Sequence, residues 1–193
     1  MESGKLYTWI FLLAGMLFAP LTILASENVV IVKGGTYKID DRNQLIDDGT
    51  FIATTFEKNT SIIAVEFDHV FDNGFSLGGG YQGFDMDYNS AVGAGDFHAD
   101  FALFNGKIYF TKNRFKPFIG FSAGLIWADF NGNITGGSLG VAIAGMAGFR
   151  WQYGAAGLYV EYKNFISADT ADGDSDEVDL TGETITGGIS ISF

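Results

Sequence analysis

The sequence has no cysteine, only two prolines and two histidines, and 11 basic against 23 acidic residues in a chain of 193. Without cysteine the chain cannot form disulfides, a cysteine-ligated metal site or a thiol nucleophile. Its net charge of -12 argues against nucleic acid as a partner, because phosphate binding relies on Lys and Arg. What the sequence has in abundance is glycine, 27 residues, and aromatic side chains, 16% of the total. The length fits a single domain.

An uncharged apolar segment lies close to the N-terminus. Residues 6–25 carry no charge and hold an apolar stretch from Trp9 to Ala19, which Pro20 follows. This pattern is typical of a secretory signal peptide. An uncleaved membrane anchor is the alternative, since the segment is about long enough to cross a bilayer. Pro20 and the small residues Ala25 and Ser26 favour removal, so the sequence predicts a signal peptide at 1–26 and a mature domain at 27–193.

Beyond residue 26, apolar and small residues alternate with the two-residue period of β-strands. At the C-terminus, Ile185, Ile189 and Ile191 share one face with Phe193, and the opposite face carries Thr, Ser and Gly. The same alternation predicts eight strands. The pattern leaves open the phase of two of them, 29–39 and 97–110, although Phe104 is assigned to the outer face of the second.

The links between these strands alternate in length. Short links at 72–74, 112–114 and 153–154 alternate with longer polar segments near 40–60, 85–96, 131–138 and 166–182. Short turns on one side and long loops on the other are typical of bacterial membrane barrels, whose strands alternate apolar residues outward and polar residues inward. The sequence therefore predicts an all-β fold, an eight-stranded antiparallel up-and-down transmembrane β-barrel.

A soluble secreted barrel of the lipocalin type is the alternative architecture, with its apolar face inward. The non-apolar faces of the predicted strands are mostly Gly, Ala, Ser and Thr with a few charges, which suits a narrow polar lumen. Aromatic residues also fall at strand ends, as interfacial girdles require. The predicted girdle residues are Phe110, Phe118, Phe149, Trp151, Tyr153 and Phe193 near the short links, and Tyr81, Phe84, Trp127, Phe130 and Phe165 near the long ones.

Three segments resemble the small eight-stranded outer-membrane barrels, a family that includes OmpX and the transmembrane domain of OmpA. KPFIGFSAG at 116–124 is similar to a glycine-alternating stretch of that family, with Ser122 at a usual glycine position. GLYVEYKNF at 157–165 resembles its penultimate strand, and GGISISF, ending at Phe193, resembles its C-terminal assembly signal. The resemblance implies a Gram-negative outer membrane, insertion by the barrel-assembly machinery and no cofactor.

Charged residues on the predicted inner faces form a candidate lumen network. An unpaired charge in a narrow lumen is costly, so we expect these residues to pair. They either rigidify the barrel as a plug or line a gated polar path. The predicted members are Glu66, Asp68, Lys107, Arg150, Glu161 and Lys163.

The two histidines leave few arrangements for a Ser-His-acid hydrolase. His98 falls near the outer end of the fourth predicted strand, with Ser90, Asp96 and Asp100 nearby in sequence. A solvated rim histidine is the favoured interpretation, because the sequence shows no spacing of nucleophile, base and orienting group. His69 falls near a short link, and we expect a rim or interfacial position for it.

The last long link is strongly acidic and carries weak metal-binding candidates. Asp172, Asp174, Asp176 and Glu183 occupy positions 1, 3, 5 and 12 of a calcium loop. Glu177 stands where such a loop needs glycine, so a solvated acidic loop is the favoured interpretation. Loose bridging by divalent cations to lipopolysaccharide phosphates is a second hypothesis.

These observations predict a non-enzymatic outer-membrane barrel with a structural or surface-interaction role through its acidic extracellular loops. One alternative is a narrow pore for small or hydrophobic molecules, and another is a lipid A-modifying enzyme at the outer rim. The expected partners are outer-membrane lipid and lipopolysaccharide, with divalent cations at the acidic loops.

Overall fold

The computed structural model describes residues 27–40, 43–47, 51–91, 93–132, 136–171 and 177–193, with no side chains described at 43–47, 51–53, 132, 136–137, 169–171 and 177–178. The predicted signal peptide at 1–26 lies outside these residues and stays a prediction. The regular elements within them are all β-strands. They are β1 (Glu27–Ile39), β2 (Asn43–Asp47), β3 (Phe51–Phe56), β4 (Asn59–Val70), β5 (Phe75–Ser90), β6 (Gly93–Tyr109), β7 (Phe115–Gly132), β8 (Gly136–Tyr153), β9 (Ala156–Ala171), β10 (Glu177–Asp179) and β11 (Gly182–Ser192).

Eight of these strands, β1, β4 to β9 and β11, form a closed antiparallel barrel in which consecutive wall strands are neighbours. The first and last wall strands close the ring, from Val29 opposite Ser192 to Ile39 opposite Gly182. Closure gives every wall strand two neighbours and so removes the sheet edges. The predicted eight-stranded up-and-down barrel is therefore confirmed. The short strands β2, β3 and β10 extend the sheet beyond the wall, with β3 paired to β5 and β10 to β9.

The short connections and both ends of the described chain lie on one side of the barrel, which we call the short-turn side. Asn28 and Phe193 exchange backbone hydrogen bonds there. Gly74 and Gly154 have φ values of +85° and +63°, a backbone conformation that glycine adopts without strain in tight turns. The opposite side is the long-loop side. There the predicted loop at 85–96 is wrong, because β5 and β6 stay paired up to Ser90 opposite Gly93.

The outward faces of the wall strands carry exposed apolar side chains, and we call this band the apolar belt. On β6, Phe104 and Ile108 face outward and Lys107 faces inward, which settles the phase of this strand, and Phe110 directly after it is also exposed. Among the described residues, no helix is long and apolar enough to cross a bilayer. The belt comprises Val32, Ile63, Val65, Tyr81, Phe104, Ile108, Ile119, Phe121, Leu125, Val141, Ile143, Leu158, Val160, Ile166, Ile185, Ile189 and Ile191.

The aromatic girdle forms only in part. Phe110, Trp151, Tyr153 and Phe193 are exposed at the short-turn end, as predicted. Four other predicted girdle residues are instead buried in the lumen, because each has the inward phase of its strand. These four are Phe84, Phe118, Phe130 and Phe165.

Candidate functional site

The middle of the lumen holds buried charges on β1, β4, β6 and β9, which we call the ionic layer. Lys33 bridges two carboxylates, since its Nζ donates to Glu66 Oε2 at 2.8 Å and to Glu161 Oε1 at 2.6 Å. Lys107 donates to Glu66 and, at 2.8 Å, to Asp68 Oδ2. These side chains are almost completely excluded from solvent. Buried charges of this kind persist only when they are paired.

A third lysine completes the ionic layer. Lys163 Nζ lies 3.6 Å from Glu161 Oε1, and the Tyr159 hydroxyl donates to Glu161 Oε2 at 2.8 Å. The layer thus pairs the cations of Lys33, Lys107 and Lys163 with three carboxylates. The structure brings together five of the six residues named as a lumen network from sequence, and it adds Lys33, which sequence reasoning missed.

Arg150, the sixth predicted network residue, is buried nearer the short-turn end. Its Nη2 donates to Glu27 Oε2 at 2.7 Å, and Lys116 Nζ donates to the same oxygen at 3.1 Å. Gln152 donates to the other carboxylate oxygen of Glu27 at 2.8 Å. A cavity of about 150 Å³ opens beside this group and is lined in part by Glu27, Tyr109 and Lys116. Glu27 therefore organises the short-turn mouth of the barrel.

The long-loop half of the lumen is filled by aromatic rings rather than by polar groups. Tyr37 stacks on Phe84 with ring centroids 4.5 Å apart, and Phe97 lies 4.7 Å from Phe130. We call this cluster the aromatic plug. The expectation of a polar lumen is wrong for this half, because large rings occupy inward positions of β1, β3, β5, β6, β7 and β9. The plug consists of Tyr37, Phe56, Phe84, Tyr88, Phe97, Phe101, Phe130 and Phe165.

His98 lies on the outward face of β6, beyond the apolar belt on the long-loop side. Its Nδ1 is 2.7 Å from Asp85 Oδ1 on β5 and its Nε2 is 3.1 Å from Asp100 Oδ2, while Asp129 on β7 stands opposite in the strand register. Partial burial lowers the pKa of His98, but the hydrogen bond to Asp85 and the charge of Asp100 outweigh burial and raise the pKa above its ordinary value. Both ring nitrogens face carboxylates, so neither is free to accept a proton from a hydroxyl nucleophile, as a hydrolase requires.

The other residues singled out from sequence lie apart from one another. His69 is buried near the short-turn end of β4, with Nδ1 2.5 Å from Asn28 Oδ1 and its ring edge against Phe67, so the rim or interfacial role stays a prediction. The Glu183 side chain is partly exposed, and its Oε1 accepts a hydrogen bond from Lys38 Nζ at 2.8 Å. Among the residues that the structure describes, no group of three His, Asp or Glu side chains could hold a metal ion. Three of the calcium candidates, Asp172, Asp174 and Asp176, lie outside the described residues.

Comparison with known proteins identifies the fold through solved structures but finds no relative by sequence. No protein-family model matches the chain, and no curated protein matches it in sequence. Among solved structures, the chain is similar to the outer membrane protein OprG from Pseudomonas aeruginosa, with a TM-score of 0.67, 16% identity, and 88% of this chain and 96% of that chain covered. Neisserial surface protein A has a TM-score of 0.62 at 11% identity, with 86% and 97% covered. Ail, the attachment invasion locus protein of Yersinia pestis, has a TM-score of 0.53 at 14% identity, with 88% and 99% covered. The chain therefore has the fold of the small eight-stranded outer-membrane β-barrels.

Proposed function

We propose that this protein resides in the outer membrane of a Gram-negative cell as a closed barrel, with a structural or surface-interaction role on its long-loop side. The exposed apolar belt supports membrane insertion, because apolar patches of this extent are unusual on a water-soluble monomer. The fold shared with three outer-membrane proteins supports the same location. The segment GGISISF at 187–193, with the aromatic Phe193, resembles a signal for the barrel-assembly machinery.

The observation that carries the proposal is the filling of the lumen. The ionic layer and the aromatic plug occupy successive levels of a narrow barrel. A path through the ionic layer requires separating Lys33 from its two carboxylates, which costs several kcal/mol for each charge left unpaired in a dry interior. Conduction through the lumen is therefore disfavoured. We infer instead that the function resides on the outside of the barrel.

The long-loop side is acidic, which defines the chemistry of its partners. Exposed carboxylates at Asp40, Asp87, Asp96 and Asp129 lie on that side. Such a surface attracts cationic groups, either directly or as divalent cations that bridge to the phosphates of lipopolysaccharide. We propose cationic surfaces and cation-bridged lipopolysaccharide as its partners.

Electrical recording in planar bilayers tests whether the lumen conducts ions. The folded protein should give no resolved single-channel conductance. The contribution of the plug is measured by comparing the conductance of two variants. Phe97→Ala combined with Phe101→Ala removes two plug rings, and the matched control, Phe104→Ala, removes an outward ring of β6. Stable channels from the unmodified protein would contradict the proposal and favour the pore.

A cationic probe tests the surface role. Proteoliposomes displaying the long-loop side should retain polylysine more strongly than protein-free vesicles of the same lipid, and about 0.5 M salt should abolish the difference by screening. Replacing Asp87, Asp96 and Asp129 by Asn should weaken retention. Equal retention by the variant and the unmodified protein would show that this surface does not carry the interaction.

A further inference from the structure

A groove of about 370 Å³ lies on the outer wall of the barrel, across β4, β5 and β6. Gly83 on β5 lies in it, in register between Ile63 on β4 and Asp100 on β6. A Cβ atom at Gly83 would lie 2.6 Å from Asp100 Oδ1. The absence of a side chain at Gly83 therefore creates the groove and leaves room for the Asp100 carboxylate.

The groove joins two chemical environments. Its apolar part is formed by Ile63, Val65 and Tyr81, which are 70%, 49% and 46% exposed and belong to the apolar belt. Its polar part lies beyond the belt, on the long-loop side, and contains Asp85 and the Asp100 carboxylate. A molecule that fills the whole groove must be amphipathic, with its apolar portion toward the membrane core.

The charge of the polar part determines which charge the polar end of such an amphipathic molecule should carry. His98 has a carboxylate at each ring nitrogen, so both nitrogens donate when the ring is protonated and carries a positive charge. With Asp85 and Asp100 the three groups carry a net charge of about -1. Asp87 and Asp96 face each other directly just above them. Like charges opposed across two strands destabilise the sheet unless a cation lies nearby.

Little basic charge offsets these carboxylates on the neighbouring outward surface, because Lys58, just before β4, is itself next to the exposed Glu57. Segments 83–89, 94–100 and 127–131, which form the three adjacent strand ends, contain no Lys or Arg. A headgroup with a net negative charge and no ammonium would be repelled here, whereas an ammonium group would be attracted and would hydrogen-bond to the carboxylates.

We propose that this groove binds one lipid molecule whose headgroup carries an ammonium ion. The ammonium lies against the carboxylate oxygens of Asp85 and Asp100 that His98 does not contact, and an alkyl chain lies against Ile63, Val65 and Tyr81. The inference rests on the proposed residence in a membrane and goes beyond it, because it assigns a lipid class and a position to one face of the barrel.

Native mass spectrometry of the folded barrel released from detergent tests this binding. The probes are phosphatidylethanolamine, phosphatidylcholine and phosphatidylglycerol with identical acyl chains. Phosphatidylethanolamine should be retained best, phosphatidylcholine less, because its quaternary ammonium cannot donate a hydrogen bond, and phosphatidylglycerol least. This comparison needs no variant. Retention of phosphatidylglycerol equal to or above that of phosphatidylethanolamine would overturn the proposal.

Variants then locate the site. Asp85→Asn combined with Asp100→Asn should lower retention of phosphatidylethanolamine by about fivefold, the loss expected for two partly exposed ionic contacts. Gly83→Val should act in the same direction by filling the groove and displacing Asp100. The matched control, Asp72→Asn with Glu57→Gln, removes two exposed acids outside the groove and should retain the lipid fully.

A heat-dependent gel shift, measured for each sample, separates failure of this inference from failure of the proposed function. A folded, heat-shifting protein that shows no headgroup preference overturns the lipid site alone. An unmodified protein that shows no heat shift overturns the membrane barrel itself and the lipid site with it.

Discussion

Lys33 is the residue on which the ionic layer depends most, because among the residues that the structure describes it alone bridges Glu66 and Glu161. Lys33→Met keeps a similar side-chain length and removes the charge. The layer then holds two lysines and three carboxylates. Glu66 retains Lys107, but Glu161 retains only Lys163, at the longer distance of 3.6 Å, and the Tyr159 hydroxyl.

Removing one partner of a buried ion pair costs about 3 to 5 kcal/mol, because a charge is left uncompensated in a dry interior. The same reasoning predicts recovery when the charges are balanced again. In Lys33→Met with Glu66→Gln, Lys107 still pairs with Asp68 and Lys163 still lies beside Glu161. The double variant should therefore be more stable than Lys33→Met alone.

Urea unfolding in detergent micelles, followed by tryptophan fluorescence and by gel mobility, measures both effects. With a slope of about 2 kcal/mol per molar urea, the midpoint for Lys33→Met should fall by about 1.5 to 2.5 M. Arg150→Met is the comparison, and it should cost less because Glu27 keeps Lys116 and Gln152. A loss of stability below about 0.5 kcal/mol in Lys33→Met, the range of ordinary surface substitutions, would show that Lys33 does not hold the ionic layer together.

Three further outcomes are expected from the same unfolding assay. Phe101→Ala should cost about 3 to 5 kcal/mol because it leaves a cavity in the plug, whereas Phe104→Ala on the outward face of the same strand leaves none and should cost less; equal losses would contradict a filled plug. Gly78→Ala should destabilise by about 1 to 3 kcal/mol, because its Cβ would overlap backbone and a buried carboxylate, whereas Gly145→Ala has open space and should be neutral. The raised pKa of His98 means that its pairing stabilises the fold below the unfolded pKa and is lost as pH rises through the folded pKa, so the stability advantage over His98→Gln should be larger at about pH 5.5 than at about pH 9, and a pH-independent difference would contradict the pairing.

The outward faces of the wall could be predicted from sequence wherever apolar and small residues strictly alternate. Ile185, Ile189 and Ile191 show this, since a one-residue shift would place all of them inward. The alternation failed for β1, where residues 29–32 are all apolar and both phases fit equally well. Lys33 was missed for that reason, although it is central to the ionic layer.

The aromatic plug could have been predicted from strand phase but was not. Phe97 and Phe101 have the same phase as Lys107, which was assigned to an inner face from sequence. Aromatic residues at strand ends were instead interpreted as a membrane girdle, because residue type and position alone do not distinguish a ring facing lipid from one facing the lumen.

The groove and its charged end depend on pairing that the sequence does not encode locally. Asp85 and His98 are 13 residues apart and meet because β5 and β6 stay paired to Ser90 opposite Gly93. The sequence predicted a loop over this region, so no cross-strand contact could be derived. Such contacts follow from hairpin register, which a single polar turn specifies weakly.

The central claim is a closed barrel in the outer membrane, and gel mobility tests it most directly. The protein, expressed with residues 1–26 in a Gram-negative host, would be taken from isolated outer membranes and run boiled and unboiled. A closed barrel should give a faster or slower unboiled band that converts to the unfolded position on heating. A single band at one position, with the protein recovered in the soluble periplasmic fraction, would contradict it.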